Sequence, residues 1–247
     1  MKTDQTLREL NNNSKHMDEE LYYFTVMGRP SATEPWGWQI DGHHLVINYF
    51  VLGSQVVMAP VFMGAEPVIT TTGKYRGNVV LQQEQDFGLA LMVSLDETQR
   101  KTATTGHKDG FNMQSSANQD NKVLAYEGIQ VSTFNNEQKV ALITLIDEYI
   151  GNLQNDHATV KMNQIKSHLD ETWFSFKGEV KQDGVFYYRI HSPVLLIEFD
   201  HQAPIGVSDP SGSRAATRNH IHTIIRTPNG NDYGKDLLKR HLKKHHH

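Results

Sequence analysis

The stretch Trp36-Gly37-Trp38-Gln39-Ile40-Asp41-Gly42-His43-His44-Leu45-Val46-Ile47-Asn48-Tyr49-Phe50-Val51-Leu52-Gly53-Ser54 decides the fold. Two runs rich in aromatic and β-branched residues, which favour strands, are separated by Asp41-Gly42, a dipeptide typical of tight hairpin turns. Gly53-Ser54 ends the second run in the same way. The stretch therefore predicts two antiparallel strands followed by a third.

The same pattern extends outward on both sides. Strand-like segments at 21–27 and 55–62 flank the central hairpin, and Gly28-Arg29-Pro30 supplies another turn. We expect residues 20–64 to form an antiparallel meander.

Helical patterns dominate the middle of the chain, at about 84–169. Asn135, followed three residues later by Gln138, predicts a capped helix over 136–150, which should end at Gly151. We expect its buried stripe to consist of Val140, Ile143, Ile146 and Ile150. A helix with a break near residues 94–96 precedes it, a second helix follows at 156–169, and the polar stretch 107–121 is predicted to be a long loop.

Strands return at about 172–227, and an amphipathic helix at 233–244 ends the pattern. The irregular segment 202–218 lies between the last two strands, where such a loop often forms a lid or a pocket wall. We therefore predict a single α+β domain over residues 1–247. Its antiparallel sheet takes strands from the N- and C-terminal halves, and helices from the middle and C-terminus pack on that sheet.

Composition narrows the classes of function. The chain has 247 residues, 38% of them hydrophobic and 21% charged, and its net charge of −4 does not favour nucleic acid as a partner. It contains no cysteine, which excludes disulfides, thiolate metal ligands and cysteine nucleophiles. No apolar run approaches the roughly 18 residues that span a bilayer. We expect a soluble protein, secreted or periplasmic if a native signal peptide precedes this sequence and otherwise cytoplasmic.

Histidines in two distant strands are the candidate metal ligands. His220 and His222 are two residues apart, so in a strand their rings project from the same face, about 6.5 Å apart at Cα. His44, in the first hairpin, is the candidate third ligand. We exclude the terminal residues 245–247 because such a run of histidines can be either native or the remnant of a purification tag.

Glu198 is the candidate fourth ligand or general base, because a carboxylate in a strand as apolar as 196–201 needs a partner. Two or three histidines plus one carboxylate suit Zn²⁺, Fe²⁺, Mn²⁺ or Cu²⁺. The other predicted contacts to substrate or to the ligands are His43, Asn48, Trp36, Trp38, Asn219, Arg226 and Asp200.

Each of these assignments has a structural alternative. A His-x-His pair can be two hydrogen-bonded side chains in a polar pocket, and Glu198 can simply pair with Arg189 or Arg226 on a neighbouring strand. Trp36 and Trp38 can belong to the core, where large aromatic side chains are common.

Several motifs together resemble a bacterial protein family, the domain of unknown function 3500. They are Glu20-Leu21-Tyr22, Gly28-Arg29-Pro30-Ser31, Pro35 to Leu45, Leu196 to Asp200, Asn219-His220-Ile221-His222, Arg226, Asp232-Tyr233-Gly234 and Asp236-Leu237-Leu238. Relatives usually have a further N-terminal helical region, so the resemblance implies a short or truncated member. It also implies that both histidine segments and Glu198 belong to one shared pattern, but it supplies no activity or substrate.

The leading hypothesis from the sequence is a metal-dependent enzyme, a hydrolase or lyase, that acts on a small molecule through the His/Glu site. The first alternative is a metal-free protein that binds a small molecule in a pocket lined by histidine, tryptophan and arginine. The second alternative is a structural or interaction module.

Overall fold

A computed structural model of the chain describes residues 1–116, 119–207, 212–228 and 230–245. Parts of the predicted loops 107–121 and 202–218, one residue after the last strand, and the terminal His246-His247 therefore lie outside the described residues. The helices of the described part are α1 (Lys2–Leu10), α2 (Gln82–Ser94), α3 (Glu97–Ala103), α4 (Asn136–Ile150), α5 (Asn155–Ser167) and α6 (Lys235–His245). Its strands are β1 (Tyr22–Met27), β2 (Trp36–Gly42), β3 (Leu45–Leu52), β4 (Gln55–Ala65), β5 (Thr104–Gly106), β6 (Ile129–Gln130), β7 (Trp173–Gly178), β8 (Phe186–His191), β9 (Leu196–His201) and β10 (Ile221–Arg226).

All ten strands belong to one sheet with the order β1-β2-β3-β4-β10-β9-β8-β7-β5, and β6 pairs with β7. Every pairing is antiparallel except the one between β5 and β7. The N-terminal meander joins the C-terminal strands where β4 pairs with β10. The predicted α+β fold, with a sheet drawn from both halves of the chain, is thereby confirmed.

One face of the sheet packs against α2, α4 and α5 and forms the hydrophobic core. Alternate residues of β9 and β10, such as Phe199 and Ile225, project into this core. The Phe199 ring stacks on Tyr188 with ring centroids 4.9 Å apart. The opposite face of β9 and β10 is therefore free to carry polar side chains.

Helix α4 begins as predicted, with a capping box between Asn135 and Gln138. The predicted buried stripe was right for Ile146 and Ile150 and wrong for Val140, which is 63% exposed. The buried positions are Leu142, Leu145, Ile146, Tyr149 and Ile150. Apolar residues occur all around this helix, so periodicity identifies the helix but not the face that meets the sheet.

The polar face of the sheet is covered by α1 and by described loop residues that include 112–116 and 203–207. Leu7 of α1 is buried, and an added Cβ on Gly206 would lie only 2.4 Å from its Cδ1. Helix α1 was not predicted from the sequence. None of the helices in the described residues is both long and apolar enough to cross a bilayer.

Candidate functional site

Gly64 of β4 lies between the two histidine segments. Its amide donates a hydrogen bond to the carbonyl of His44, 2.8 Å away, and on its other side it pairs with His222 of β10. A Cβ at Gly64 would lie 2.7 Å from Cδ2 of His222 and 2.8 Å from Cδ2 of His44. The absent side chain leaves the room in which these two rings approach each other.

Three histidines converge at this point, and we call His44, His220 and His222 the histidine cluster. One ring nitrogen of each lies within 4.8 Å of those of the other two. The Nε2 atoms of His220 and His222 are 2.9 Å apart. His44 and His220 are buried and His222 is partly exposed, so the cluster lies just below the surface.

The Nδ1 atoms of two of these rings are held by acceptors. Nδ1 of His44 lies 2.6 Å from Oδ1 of Asp4, and Nδ1 of His220 lies 2.7 Å from the carbonyl oxygen of Ala203. A carbonyl oxygen can only accept, so His220 carries its proton on Nδ1, and its Nε2 presents a lone pair. The carboxylate of Asp4 selects the same tautomer for His44.

Burial favours the neutral form of all three rings. It lowers the pKa of His44 and of His220 below the ordinary value, although Asp4 and the Ala203 carbonyl oppose the shift. Burial, together with the nearby rings of His220 and His44, lowers the pKa of His222 to about 2. Neutral imidazoles are the form that binds a metal ion.

Asp4 is the carboxylate of this site. It is fully buried on the first turn of α1, where it accepts hydrogen bonds from Tyr22 and from the rings of His43 and His44. Burial alone would raise its pKa, but the hydrogen bonds from His43, His44 and Tyr22 and the charge interaction with His44 together outweigh burial and hold the pKa well below its usual range. Asp4 is therefore ionised at neutral pH.

A second buried carboxylate, Glu66, lies directly after β4. One of its oxygens is 3.8 Å from Nδ1 of His220, and the carboxylate accepts the amide hydrogens of Ile205, Gly206 and Val207. Glu66 thus anchors the 202–218 loop beside the histidines. Sequence reasoning missed both Asp4 and Glu66.

Glu198 lies on the same sheet face but outside the histidine cluster. It pairs in register with Ile224, and Asp200 is the residue opposite His222. The Glu198 carboxylate accepts hydrogen bonds from the amides of Gln114 and Ser115, and from the hydroxyls of Ser115 and Tyr187. Two groups of potential metal ligands occur in the described residues, the histidine cluster and the set Asp4, His43 and His44. Glu198 belongs to neither group. The partner that this carboxylate needs is the backbone of a loop.

Asp200 and Arg226 belong to the same loop-holding network. Asp200 forms an ion pair with Lys108 at 3.0 Å and accepts the amide hydrogens of Asn112 and Met113. Burial raises the pKa of Asp200, against the opposing charge of Lys108. Arg226 forms an ion pair with Asp232 and donates to the carbonyls of Ser115 and Ser116.

The remaining predicted contacts divide between the two faces of the sheet. His43 stacks on His44 with ring centroids 4.0 Å apart, and its side chain is 42% exposed. Trp38 stacks on Tyr49, whose hydroxyl hydrogen-bonds His157 of α5, so the Trp36 and Trp38 side of β2 faces the helices. The structure does not bring the two tryptophans to the histidines.

The two predicted asparagines hold backbone. The Asn48 side chain donates to the carbonyl of Pro60, at the irregularity between β3 and β4. The Asn219 carbonyl accepts from Val68, and the Asn219 amide donates to the hydroxyl of Thr217. Asn219 thus fixes the start of β10, and its effect on the cluster is through the backbone.

Comparisons with known proteins place the chain in a family. No curated protein and no solved structure matches it. A family with the description "Protein of unknown function (DUF3500)" matches residues 1–235. The chain therefore belongs to this family.

Proposed function

We propose that the histidine cluster binds a divalent transition-metal ion and that the chain is a metal-dependent enzyme acting on a small molecule. The observation that carries the proposal is the convergence of three ring nitrogens within 4.8 Å of one another. Three imidazole ligands suit Zn²⁺, Cu²⁺ or Fe²⁺, and leave coordination positions open.

The spacing of the nitrogens fits this use. Two ligands about 2.05 Å from an ion are about 2.9 Å apart at a right angle and about 3.3 Å apart at the tetrahedral angle. The 2.9 Å between Nε2 of His220 and Nε2 of His222 matches the separation at a right angle. A slightly larger distance between the two rings would match the separation at the tetrahedral angle. The 2.6 Å between Asp4 and Nδ1 of His44 is too short for two ligands of one ion. That distance favours a hydrogen bond instead, so Asp4 orients His44 rather than binding the metal itself.

The contacts behind the ligands support the same conclusion. A metal-binding histidine usually donates its other N–H to a carboxylate or a backbone carbonyl, which fixes the ring and raises its basicity. Asp4 does this for His44, and the Ala203 carbonyl does it for His220. A polar network can also bring Nε2 of His220 and Nε2 of His222 to 2.9 Å, as an N–H···N hydrogen bond, so metal content decides between the two uses.

At an open coordination position, such a metal ion acidifies a water ligand or polarises a substrate oxygen, which suits hydrolase or lyase chemistry. The partly exposed His222 and the exposed edge of His43 mark the side from which a small molecule would approach. The alternative pocket of histidine, tryptophan and arginine has less support, because Trp38 faces the helices and Arg226 is bound by Asp232.

Metal content tests the binding step. Protein lacking residues 245–247 would be analysed by elemental mass spectrometry beside the His220→Ala/His222→Ala variant. The matched control is His107→Ala/His168→Ala, which removes two histidines outside the cluster. We expect near-stoichiometric metal in the wild type and the control, and background in the cluster variant. Equal metal content in all three proteins, or none in the wild type after reconstitution, would sink the proposal.

Turnover tests the enzymatic step. Wild type, metal-stripped wild type and the cluster variant would be assayed on a panel of small esters, phosphate esters and hydroxy acids. Hydrolysis or elimination that needs both the metal and the two histidines is the expected result. Stoichiometric metal without turnover of any compound would favour a metal site that only stabilises the fold.

A further inference from the structure

A cavity of about 600 Å³ lies on the helical side of the sheet, away from the histidine cluster. It is bounded by α5, the turn between β3 and β4, and the segment that joins β10 to α6. Ile225 lines it, and on β10 the side chain of Ile225 projects from the face opposite that of His222. The cavity is therefore separate from the site proposed above.

Lys161 of α5 projects into this cavity without a counter-ion. Its Nζ donates to the carbonyl of Val194 at 2.8 Å and to Oε1 of Gln164 at 3.1 Å, both of which are uncharged. Among the described residues no carboxylate lies within 4.0 Å of it. An ammonium group has three N–H donors, so one remains for a ligand.

Burial makes this lone cation costly. Desolvation lowers the pKa of Lys161 to about 8, and no neighbouring charge opposes the shift. Lys161 is partly exposed, and an ammonium that is partly removed from water without an anion costs free energy, which an anionic ligand would restore. Val57, Leu153 and Leu195 are among the apolar side chains that line the cavity, and Asp236 and Arg240, which also line it, are paired with each other.

We propose that this cavity binds a small monocarboxylate with an apolar body. The carboxylate accepts the third N–H of Lys161, and the apolar body packs against Val57, Leu153 and Leu195. His157 stands at the same cavity, with its Nδ1 3.0 Å from the Tyr49 hydroxyl, and adds a polar group near the carboxylate end. This arrangement of one charged anchor in an apolar concavity is typical of small-molecule sites.

Calorimetric titration of the full chain with octanoate and with octan-1-ol tests the proposal. The two probes share the alkyl chain and differ in charge. We expect octanoate to bind with one-to-one stoichiometry. The Lys161→Met substitution should weaken octanoate at least tenfold and leave octan-1-ol within twofold. Lys166→Met, on the exposed side of α5, is the matched control and should leave both affinities unchanged.

A second variant tests the cavity without touching the charge. Leu153→Trp should fill the apolar end and abolish binding of both probes, with the unfolding midpoint of the variant checked by circular dichroism. Absence of octanoate binding to the wild type would overturn the proposal. Unchanged octanoate affinity in Lys161→Met or in Leu153→Trp would also overturn the proposal. If Lys161→Met does not fold, Leu153→Trp decides the question.

Discussion

The histidine cluster and the pair Glu198 and Asp200, which we call the carboxylate cluster, occupy neighbouring positions on one face of the same sheet. Both are buried and polar, and both were picked out from the sequence as parts of one site. In the carboxylate cluster the oxygens accept the amide hydrogens of four consecutive residues, 112–115. In the histidine cluster, Nδ1 of His44 and Nδ1 of His220 are held by acceptors, and Nε2 of His220 lies 2.9 Å from Nε2 of His222.

This difference separates a structural use of polar groups from a ligand-binding use. Buried polar atoms are normally paired, and a network whose members are all paired needs no ligand. The carboxylate cluster meets that condition by holding the loop that covers it. In the histidine cluster, Nε2 of His222 can donate a hydrogen bond to Nε2 of His220, 2.9 Å away, and a metal ion bound by the three rings would replace that bond.

The largest predicted effect comes from the carboxylate cluster. Glu198→Gln replaces an acceptor-only group by one that presents N–H donors to the amides of Gln114 and Ser115. We expect a loss of about 3 kcal/mol or more in the free energy of unfolding, because the buried amide and hydroxyl donors lose their charged acceptor. Urea titration measures the loss, and Glu179→Gln, at an exposed position, is the control.

Metal content of the folded Glu198→Gln protein sharpens the comparison. If this carboxylate only holds the loop, folded protein should bind metal as the wild type does. A stable variant without metal would instead return Glu198 to the set of ligands predicted from the sequence.

Asp4→Asn gives the next largest effect, on metal affinity. An amide accepts from His44 more weakly than a carboxylate does, and it can present its own N–H to the ring. Loss of such an orienting partner typically costs 10- to 100-fold in affinity, and we expect a decrease in that range from a competition titration with a chelator. Glu9→Gln changes the charge of α1 equally at an exposed position and should have no effect. Unchanged affinity in Asp4→Asn would make the Asp4–His44 contact merely structural.

The sequence predicted the four-strand meander, the helical middle and the joining of the two halves of the chain, because period-two patterns and turn dipeptides are local signals. It also proposed His44, His220 and His222 as ligands, but it could not show that the two segments meet, and His44 lies in the turn between β2 and β3 rather than in a strand. Glu198 was placed in an apolar strand correctly, and its need for a partner followed from electrostatics. Which partner it has depends on a loop 83 or 84 residues away in sequence, and no local pattern specifies that contact.

Asp4 is a site residue that sequence reasoning did not identify. The segment Lys2 to Leu10 contains only two leucines, so its helical pattern is weak, and its burial comes from packing on the 202–218 loop. An acidic residue one turn into a short helix with Thr3, Thr6 and Leu7 on its buried side is a signal that could have been found. Recognising it as the partner of His44 needs the three-dimensional contact.

His201 tests whether a neutral buried histidine by itself marks a site. Burial and the charges of Arg218 and Lys108 lower its pKa to about 3, yet both ring nitrogens are paired, Nδ1 with the amide of Phe186 and Nε2 with Gln85. The unfolded ring takes up a proton below about pH 6.5, while the folded ring stays neutral down to about pH 3. The folded state therefore loses stability as the pH falls through this window, by up to about 1.4 kcal/mol per pH unit for one ring.

The His201→Gln variant should remove the part of the pH dependence of the free energy of unfolding that comes from His201. We expect a shallower fall in the free energy of unfolding between pH 6.5 and pH 5 than in the wild type, measured by urea titration at each pH. The exposed His107→Gln substitution is the control and should keep the wild-type slope. Metal content should be unchanged in both variants, and its loss in His201→Gln would contradict the distinction between paired and convergent nitrogens.

Gly64→Ala makes the smallest and most local change to the histidine cluster. The added methyl group would lie closer than van der Waals contact to the rings of His44 and His222, which can swing aside at modest cost because they are side chains. A bound metal ion would hold both rings in place, so the swing should appear as a several-fold loss of metal affinity with little change in the stability of metal-free protein. Gly110→Ala, where a methyl group meets only ordinary contacts, should leave affinity unchanged. If instead Gly64→Ala destabilised the metal-free protein and spared metal affinity, the rings would already be fixed by packing, and the two clusters would be equally structural.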